Sequence, residues 1–216
     1  PVTGSGWDAD GPALEANLAA VLTHLRQQAL DREIPDAAMI AQWHAIMMHG
    51  LVIDDPDWPG SIGDAFRGGY RGSRSELEFD VWVPPNPAVP FAQVSEELDA
   101  FFAGLSNLLG QLDAAIGADG PSTDEQLIQV VNVSAWAHAE WVRIHPFING
   151  NGRTARLIVD FLTVRYGLPI YLRIRPRPKG EYALAGAAAM RGDFLPTVRL
   201  FHALLEARLA GKDRPD

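Results

Sequence analysis

The sequence predicts a mainly α-helical bundle built around one central buried helix, with a small β-hairpin set on it. Three observations carry that prediction. Apolar residues recur at three- and four-residue spacing through most of the chain, as in Leu14, Leu18, Val21, Leu22 and Leu25, which is the period of a helix with one buried face. The stretch Leu127 to Ile144 is apolar nearly all round, and such a helix belongs at the middle of a bundle. One segment, Ser75 to Val83, alternates with period two instead, the pattern of a half-buried strand.

The 216 residues include 47% hydrophobic and 21% charged side chains, as expected for a globular chain with a full core. Net charge is −9, from 18 Lys+Arg against 27 Asp+Glu. That excludes sequence-independent binding to nucleic acid, which needs a basic surplus. Positive charge is nevertheless gathered locally at Arg143, Arg153, Arg156, Arg165, Arg173, Arg175 and Arg177, and such a patch focuses an anionic ligand. There is no cysteine, hence no disulfide frame and no thiolate chemistry. No apolar run is long enough to span a bilayer and no signal-peptide pattern is present. The expectations are a cytoplasmic location and no membrane partner; oligomeric state is not written in the pattern.

In chain order, residues 1–11 form a loose tail and a single domain runs from 12 to 209, followed by a second tail, 210–216. Pro12 suits the first turn of a helix. Asp36 caps the next, which buries Met39, Ile40, Trp43, Ile46 and Met47. His44 and His49 lie five apart, on different faces, so they are structural rather than a metal pair. The aspartates within 53–63 lack EF-hand spacing and are solvated. In 75–83, Leu77, Phe79, Val81 and Val83 point one way and Glu76, Glu78, Asp80 and Trp82 the other. Pro84-Pro85 ends this strand, which needs a hairpin partner to be stable.

A long helix follows from Phe91 to Ile116 and is broken by Gly117 to Pro121. Thr123 with Gln126 fits a capping box opening the central helix. His138, on that helix, is a satisfied core histidine. Leu157 to Tyr166 forms another helix that stops at Gly167 and Pro169. Pro176 and Pro178 bracket a basic loop, and two last helices run over Glu181–Met190 and Phe194–Leu209.

Chemistry is concentrated in His145-Pro146-Phe147-Ile148-Asn149-Gly150-Asn151-Gly152-Arg153-Thr154-Ala155-Arg156. Pro146 stops the helix before it, and the two glycines let the chain turn. The next helix opens with bare N–H groups, and Arg153 and Arg156 share one face. Amides, a helix N-terminus and two guanidinium groups converging make an anion site suited to a polyphosphate. His145 stands at its rim as the side chain able to take a proton near neutral pH.

This string resembles the signature of the Fic family, His-Pro-Phe-x-(Asp/Glu)-Gly-Asn-Gly-Arg-x-x-Arg, with Asn149 in place of the usual acid. A Tyr-x-x-Leu-x-x-Ala stretch from Tyr182, with Gly192-Asp193 and a final apolar helix, extends the similarity over about 66–205. The resemblance implies a Fic-type bundle that transfers AMP from ATP, its co-substrate, to a Ser, Thr or Tyr hydroxyl of a target protein. It implies His145 as base and the amides around Gly150, Asn151 and Gly152 on the α-phosphate. Arg153 and Arg156 would take the outer phosphates, with Phe147 anchoring the loop and Tyr182 bordering the adenine. It also implies Mg2+, for which Asn149 offers only an uncharged carbonyl. The hairpin, at Leu77, Glu78, Phe79, Asp80 and Val81, would hold the target segment as an added strand.

Many members carry an inhibitory Ser/Thr-x-x-x-Glu-Gly/Asn helix. No Glu here precedes Gly or Asn, so the acid is supplied by a separate small antitoxin-like partner, or by residues upstream of Pro1, or inhibition is unnecessary; the partner is the expectation. Other phosphate-containing donors, and a nucleotide-binding protein that no longer catalyses, stay open.

Overall fold

A computed structural model describes residues 11–51 and 62–212. Most of the acidic loop expected over 53–63, and most of both tails, lie outside the described residues. Among those described, the helices are α1 (Pro12–Leu30), α2 (Ala37–Met47), α3 (Val94–Ala115), α4 (Asp124–Ile144), α5 (Asn151–Arg165), α6 (Glu181–Ala189) and α7 (Leu195–Leu209). Strands β1 (Trp82–Val83) and β2 (Asn86–Pro87) lie between α2 and α3.

Local chemistry sets the helix ends. Pro12 opens α1, and the Asp36 carboxylate accepts the Met39 N–H at 2.8 Å at the head of α2, satisfying an amide the helix itself cannot pair. Thr123 caps α4 through the Gln126 N–H at 3.2 Å. The return bond of the capping box is displaced by one residue: the Gln126 carbonyl accepts from the Ser122 amide, at 2.7 Å.

The centre of the bundle is shared by two helices. α4 packs against α3, α5, α6 and α7, while α5 packs against α1, α2 and α4. One core, with Leu25, Trp43, Phe101, Trp141 and Phe161, lies to one side. A smaller one, with Val131, Val159, Leu200 and Phe201, lies to the other. A helix touched by two cores has no polar face to spare, which explains the apolar run before Ile144.

The more deeply buried of the pair is α5, with 13 of its 15 residues buried against 10 of 21 in α4. Its buried set includes Arg153, Thr154, Arg156, Asp160, Thr163 and Arg165. Polar groups in such a place need partners. Thr163 bonds the Val159 carbonyl at 2.7 Å, and Arg165 meets Asp113 at 2.5 Å and the Glu33 carbonyl at 2.8 Å.

The hairpin is shorter than the strand expected over 75–83. Trp82 pairs with Pro87 and Val83 with Asn86, the Ala88 N–H adds a bond to the Val81 carbonyl at 3.0 Å, and Ser75–Leu77 is a 3-10 turn. Side-chain exposure still alternates from buried Leu77 to exposed Trp82. The main chain does something else: the Leu77 carbonyl accepts from Gly72 N–H at 2.9 Å and the Phe79 carbonyl from Arg71 at 3.2 Å. Period-two burial was therefore real, but its backbone partners are a loop and a guanidinium rather than a neighbouring strand.

Candidate active site

His145 closes α4 in the left-handed conformation, φ 53° and ψ 55°, a backbone state that costs a residue with a Cβ about 1–3 kcal/mol. Arg71 supports it. Its guanidinium, on a residue 1% exposed, donates from Nε to the His145 carbonyl at 2.8 Å and from Nη2 to the Ile144 carbonyl at 3.0 Å. The Arg71 amide donates to the Pro146 carbonyl at 2.8 Å. The Ile144 and His145 carbonyls are left over by the α4 ladder, and a cation there also meets the negative end of the helix.

The half-buried His145 ring has Nδ1 3.3 Å from the Val142 carbonyl. A carbonyl only accepts, so Nδ1 carries the hydrogen and Nε2 keeps its lone pair. Burial, and then the charge of Arg71, push the imidazole down to about 4; Arg177 acts in the same direction and the Val142 bond opposes them. At neutral pH the ring is an uncharged proton acceptor.

The loop after it is held from three sides. Phe147 is fully buried, stacked between the rings of His44 at 3.7 Å and Tyr70 at 4.7 Å. The Asn151 carboxamide clasps the Phe147 main chain, accepting its N–H at 2.9 Å and donating to its carbonyl at 2.7 Å. His44 accepts the Gly68 N–H on Nδ1 at 3.0 Å, so its hydrogen sits on Nε2, which donates to the Asn149 carbonyl at 3.0 Å. Burial holds His44 down to about 3, so this tautomer persists in neutral solution. Gly150 has φ 78°, and a Cβ there would lie 2.9 Å from His44 Nε2 and 3.3 Å from Met47 Cε. Only glycine fits.

Helical hydrogen bonding in α5 starts with the Thr154 N–H on the Gly150 carbonyl at 2.9 Å. The amides of Asn151, Gly152 and Arg153 precede that ladder, at the positive end of the helix. Arg153 is 4% exposed, and its charge contributes to keeping His44 neutral. Arg156 donates from Nε to the Ile174 carbonyl at 3.1 Å and from Nη1 to the Tyr182 hydroxyl at 3.1 Å. Among the described residues no carboxylate pairs with Arg156. Tyr182 is itself buried, with its hydroxyl 2.8 Å from His138 Nε2.

Two expectations narrow here. Arg143 is engaged by Glu97 and Glu140, and Arg165 by Asp113, so these two of the seven clustered arginines are neutralised by acids. Asn149 turns its side-chain oxygen onto the Gly150 N–H, and the described residues hold no group of three His, Cys, Asp or Glu placed for a metal. At position 149 the chain offers Mg2+ no charged oxygen, and the neutral one it has faces the loop. Leu77 is fully buried, so within the hairpin segment 77–81 the outward positions are Glu78 and Asp80.

Two residues of the site escape a linear reading. His44 and Arg71 come from α2 and from the loop before the hairpin, and nothing in their spacing places them against 145–151.

A family model described as the Fic/DOC family matches residues 35–163. The chain belongs to the Fic/DOC family. Relatives include a "Protein adenylyltransferase Fic" of Drosophila persimilis, 44% identical over 69 residues, 32% of this chain and 13% of that protein. The Drosophila yakuba protein of the same name is 36% identical over 95 residues, 44% of this chain. The Fic chain thus spans only a small part, 13% and 18%, of these relatives. Among solved structures, a Fic-1 fragment from C. elegans superposes with TM-score 0.62 at 24% identity, covering 90% of this chain and 48% of that one. The BepC protein of Bartonella tribocorum, solved with bound AMPPNP, gives 0.57 at 18% identity and covers 88% and 85%. These likenesses show the Fic fold, which the described residues build from seven α-helices and a short hairpin. No helix of the described residues is long and apolar enough to cross a membrane.

Proposed function

We propose that this Fic domain transfers AMP from ATP to a Ser, Thr or Tyr hydroxyl of a target protein. The observation that carries the reading is the pairing of a neutral imidazole, its Nε2 lone pair available, with the N-terminal amides of α5 and two buried arginines. The attacking hydroxyl gives its proton to His145 Nε2 as its oxygen bonds the α-phosphorus. The bond from that phosphorus to the bridging oxygen breaks, and pyrophosphate leaves. The amides of Asn151 and Gly152 face the charge that grows on the α-phosphate, the Gly150 N–H being taken by the Asn149 side chain, while Arg153 and Arg156 take the outer phosphates. Tyr182 acts at one remove, by holding Arg156. The target lies as an extended segment along the outward side of the hairpin, by Glu78, Asp80 and exposed Trp82.

Asn149 brings no charge to a metal, so turnover is slow. An inhibitory acid for Arg156 is supplied from outside these 216 residues, in which no Glu precedes Gly or Asn. Incubation with α-labelled or γ-labelled ATP and a cell lysate tests the reading. Protein labelled from the α position alone, and lost in His145→Ala, is the expected result. Label from the γ position would make the chain a kinase, and nucleotide binding without label would make it a pseudoenzyme.

A further inference from the structure

Arg71 reaches further than the α4 terminus. The same guanidinium donates from Nη1 to the Phe79 carbonyl at 3.2 Å and from Nη2 to the Val89 carbonyl at 2.8 Å. One side chain thus ties Ile144 and His145 to both flanks of the hairpin. Among the described residues it makes no ion pair; four carbonyl oxygens meet its charge, a planar fork of donors matched to fixed acceptors, with the Asp80 carboxylate acting on it at longer range. The hairpin has little else to hold its shape, since a ladder of two residues a side is marginal alone. The phosphate half of the site is held by other groups: His44 on Asn149, Asn151 on Phe147, Tyr182 on Arg156.

We propose that Arg71 is the positioning residue for the acceptor half of the reaction, fixing the His145 imidazole at a set height against the hairpin along which the acceptor lies. It rests on the transfer reading above. Two halves held by separate residues can be uncoupled. Arg71→Lys keeps the charge but offers one nitrogen in place of three, so it cannot span four carbonyls. Arg71→Gln removes the charge as well. The charges acting on His145 among the described residues are Arg71, from the loop before the hairpin, and Arg177, from the segment between α5 and α6. With the first gone the imidazole protonates more readily, and its titration moves to higher pH.

The experiment compares the intact chain with both variants in three readouts: amide exchange, the His145 titration followed by NMR, and ATP affinity by calorimetry. In Arg71→Lys the Ala88 amide, bonded to Val81, should exchange at least about tenfold faster, which corresponds to about 1.4 kcal/mol of lost protection. Core amides of α5 should keep their protection and ATP affinity should stay within about twofold. Arg71→Gln should add an upward shift of the His145 titration that Arg71→Lys lacks. Unchanged hairpin exchange in Arg71→Lys overturns the proposal. So does a matching loss of α5 protection or ATP affinity, because Arg71 would then be a general support of the fold. None of these readouts needs turnover: a wild type that labels nothing defeats the transfer reading and leaves the role of Arg71 to be decided by exchange and titration.

Discussion

Lowering the pH from 7 to 5 should remove a large share of this domain's stability through its buried histidines, His44 and His138 foremost. His44 and His138 are 0% and 2% exposed, and burial holds both down to about 3. In the unfolded chain each returns to roughly 6.5. Their folded values lie below the unfolded ones, so the stability they contribute is complete above about 6.5. It is lost as the pH falls toward the folded values. At pH 5 the unfolded chain binds nearly two more protons at these sites than the folded one, a linkage of about 2 kcal/mol per histidine; His145, held down to about 4, adds a third contribution of similar size, for about 6 kcal/mol in all. Against a typical domain stability of roughly 5–15 kcal/mol that loss is decisive.

Urea unfolding at pH 7, 6 and 5 measures it, with the fluorescence of buried Trp43 and Trp141 as the probe. Most carboxylates titrate below this window. His44→Phe keeps a ring against Phe147 and removes one of the three groups, so the slope of stability with pH should fall by about a third. At pH 7 the same variant loses partners for the Gly68 N–H and the Asn149 carbonyl, at a cost of roughly 1–3 kcal/mol each. A stability that stays flat between pH 7 and 5, or a slope that His44→Phe leaves untouched, would refute the reasoning.

Three further outcomes follow from the site. Gly150→Ala places a methyl group against His44 at φ 78° and should lower ATP affinity at least about tenfold, about 1.4 kcal/mol; calorimetry checks it. Tyr182→Phe removes the hydroxyl between Arg156 and His138, and should weaken ATP binding several-fold while nucleotide-free stability changes by about 1 kcal/mol, the worth of one hydrogen bond. Asn149→Asp can keep one oxygen on the Gly150 N–H and turn the other outward. It should raise Mg2+-dependent label transfer, an increase that chelation with EDTA abolishes.

Much of this was legible in the residues themselves. Leu14 through Leu25 and Val94 through Leu112 show the three-and-four spacing of one-sided helices, and Asp36 and Thr123 mark starts that the structure keeps. The loop from His145 to Arg156 was legible because proline, glycine and arginine each constrain the chain locally. α5 was harder. Its buried polar residues give it the average of a surface helix, and only tertiary partners such as Asp113 reveal why they are inside. The hairpin misled for a related reason: side-chain alternation at 77–83 reports which face meets the core and says nothing about what the backbone bonds. His44 and Arg71 were silent because they reach the site through main-chain atoms 70 or more positions away, at Asn149 and His145, and a sequence pattern carries no trace of such bonds.

The far end of α5 bears on how the site can adapt. Arg165 and the Tyr166 hydroxyl both hold Asp113, the latter at 2.9 Å, and Arg32 approaches the same carboxylate at 3.5 Å. The near end is clasped by Asn151 and His44. Anchored at head and tail, this helix can neither slide nor tilt to suit a new acceptor. Accommodation must come from the short hairpin and the 168–180 connection, so one stiff cradle for phosphate can serve acceptors of differing shape while the parts that greet them are free to diverge.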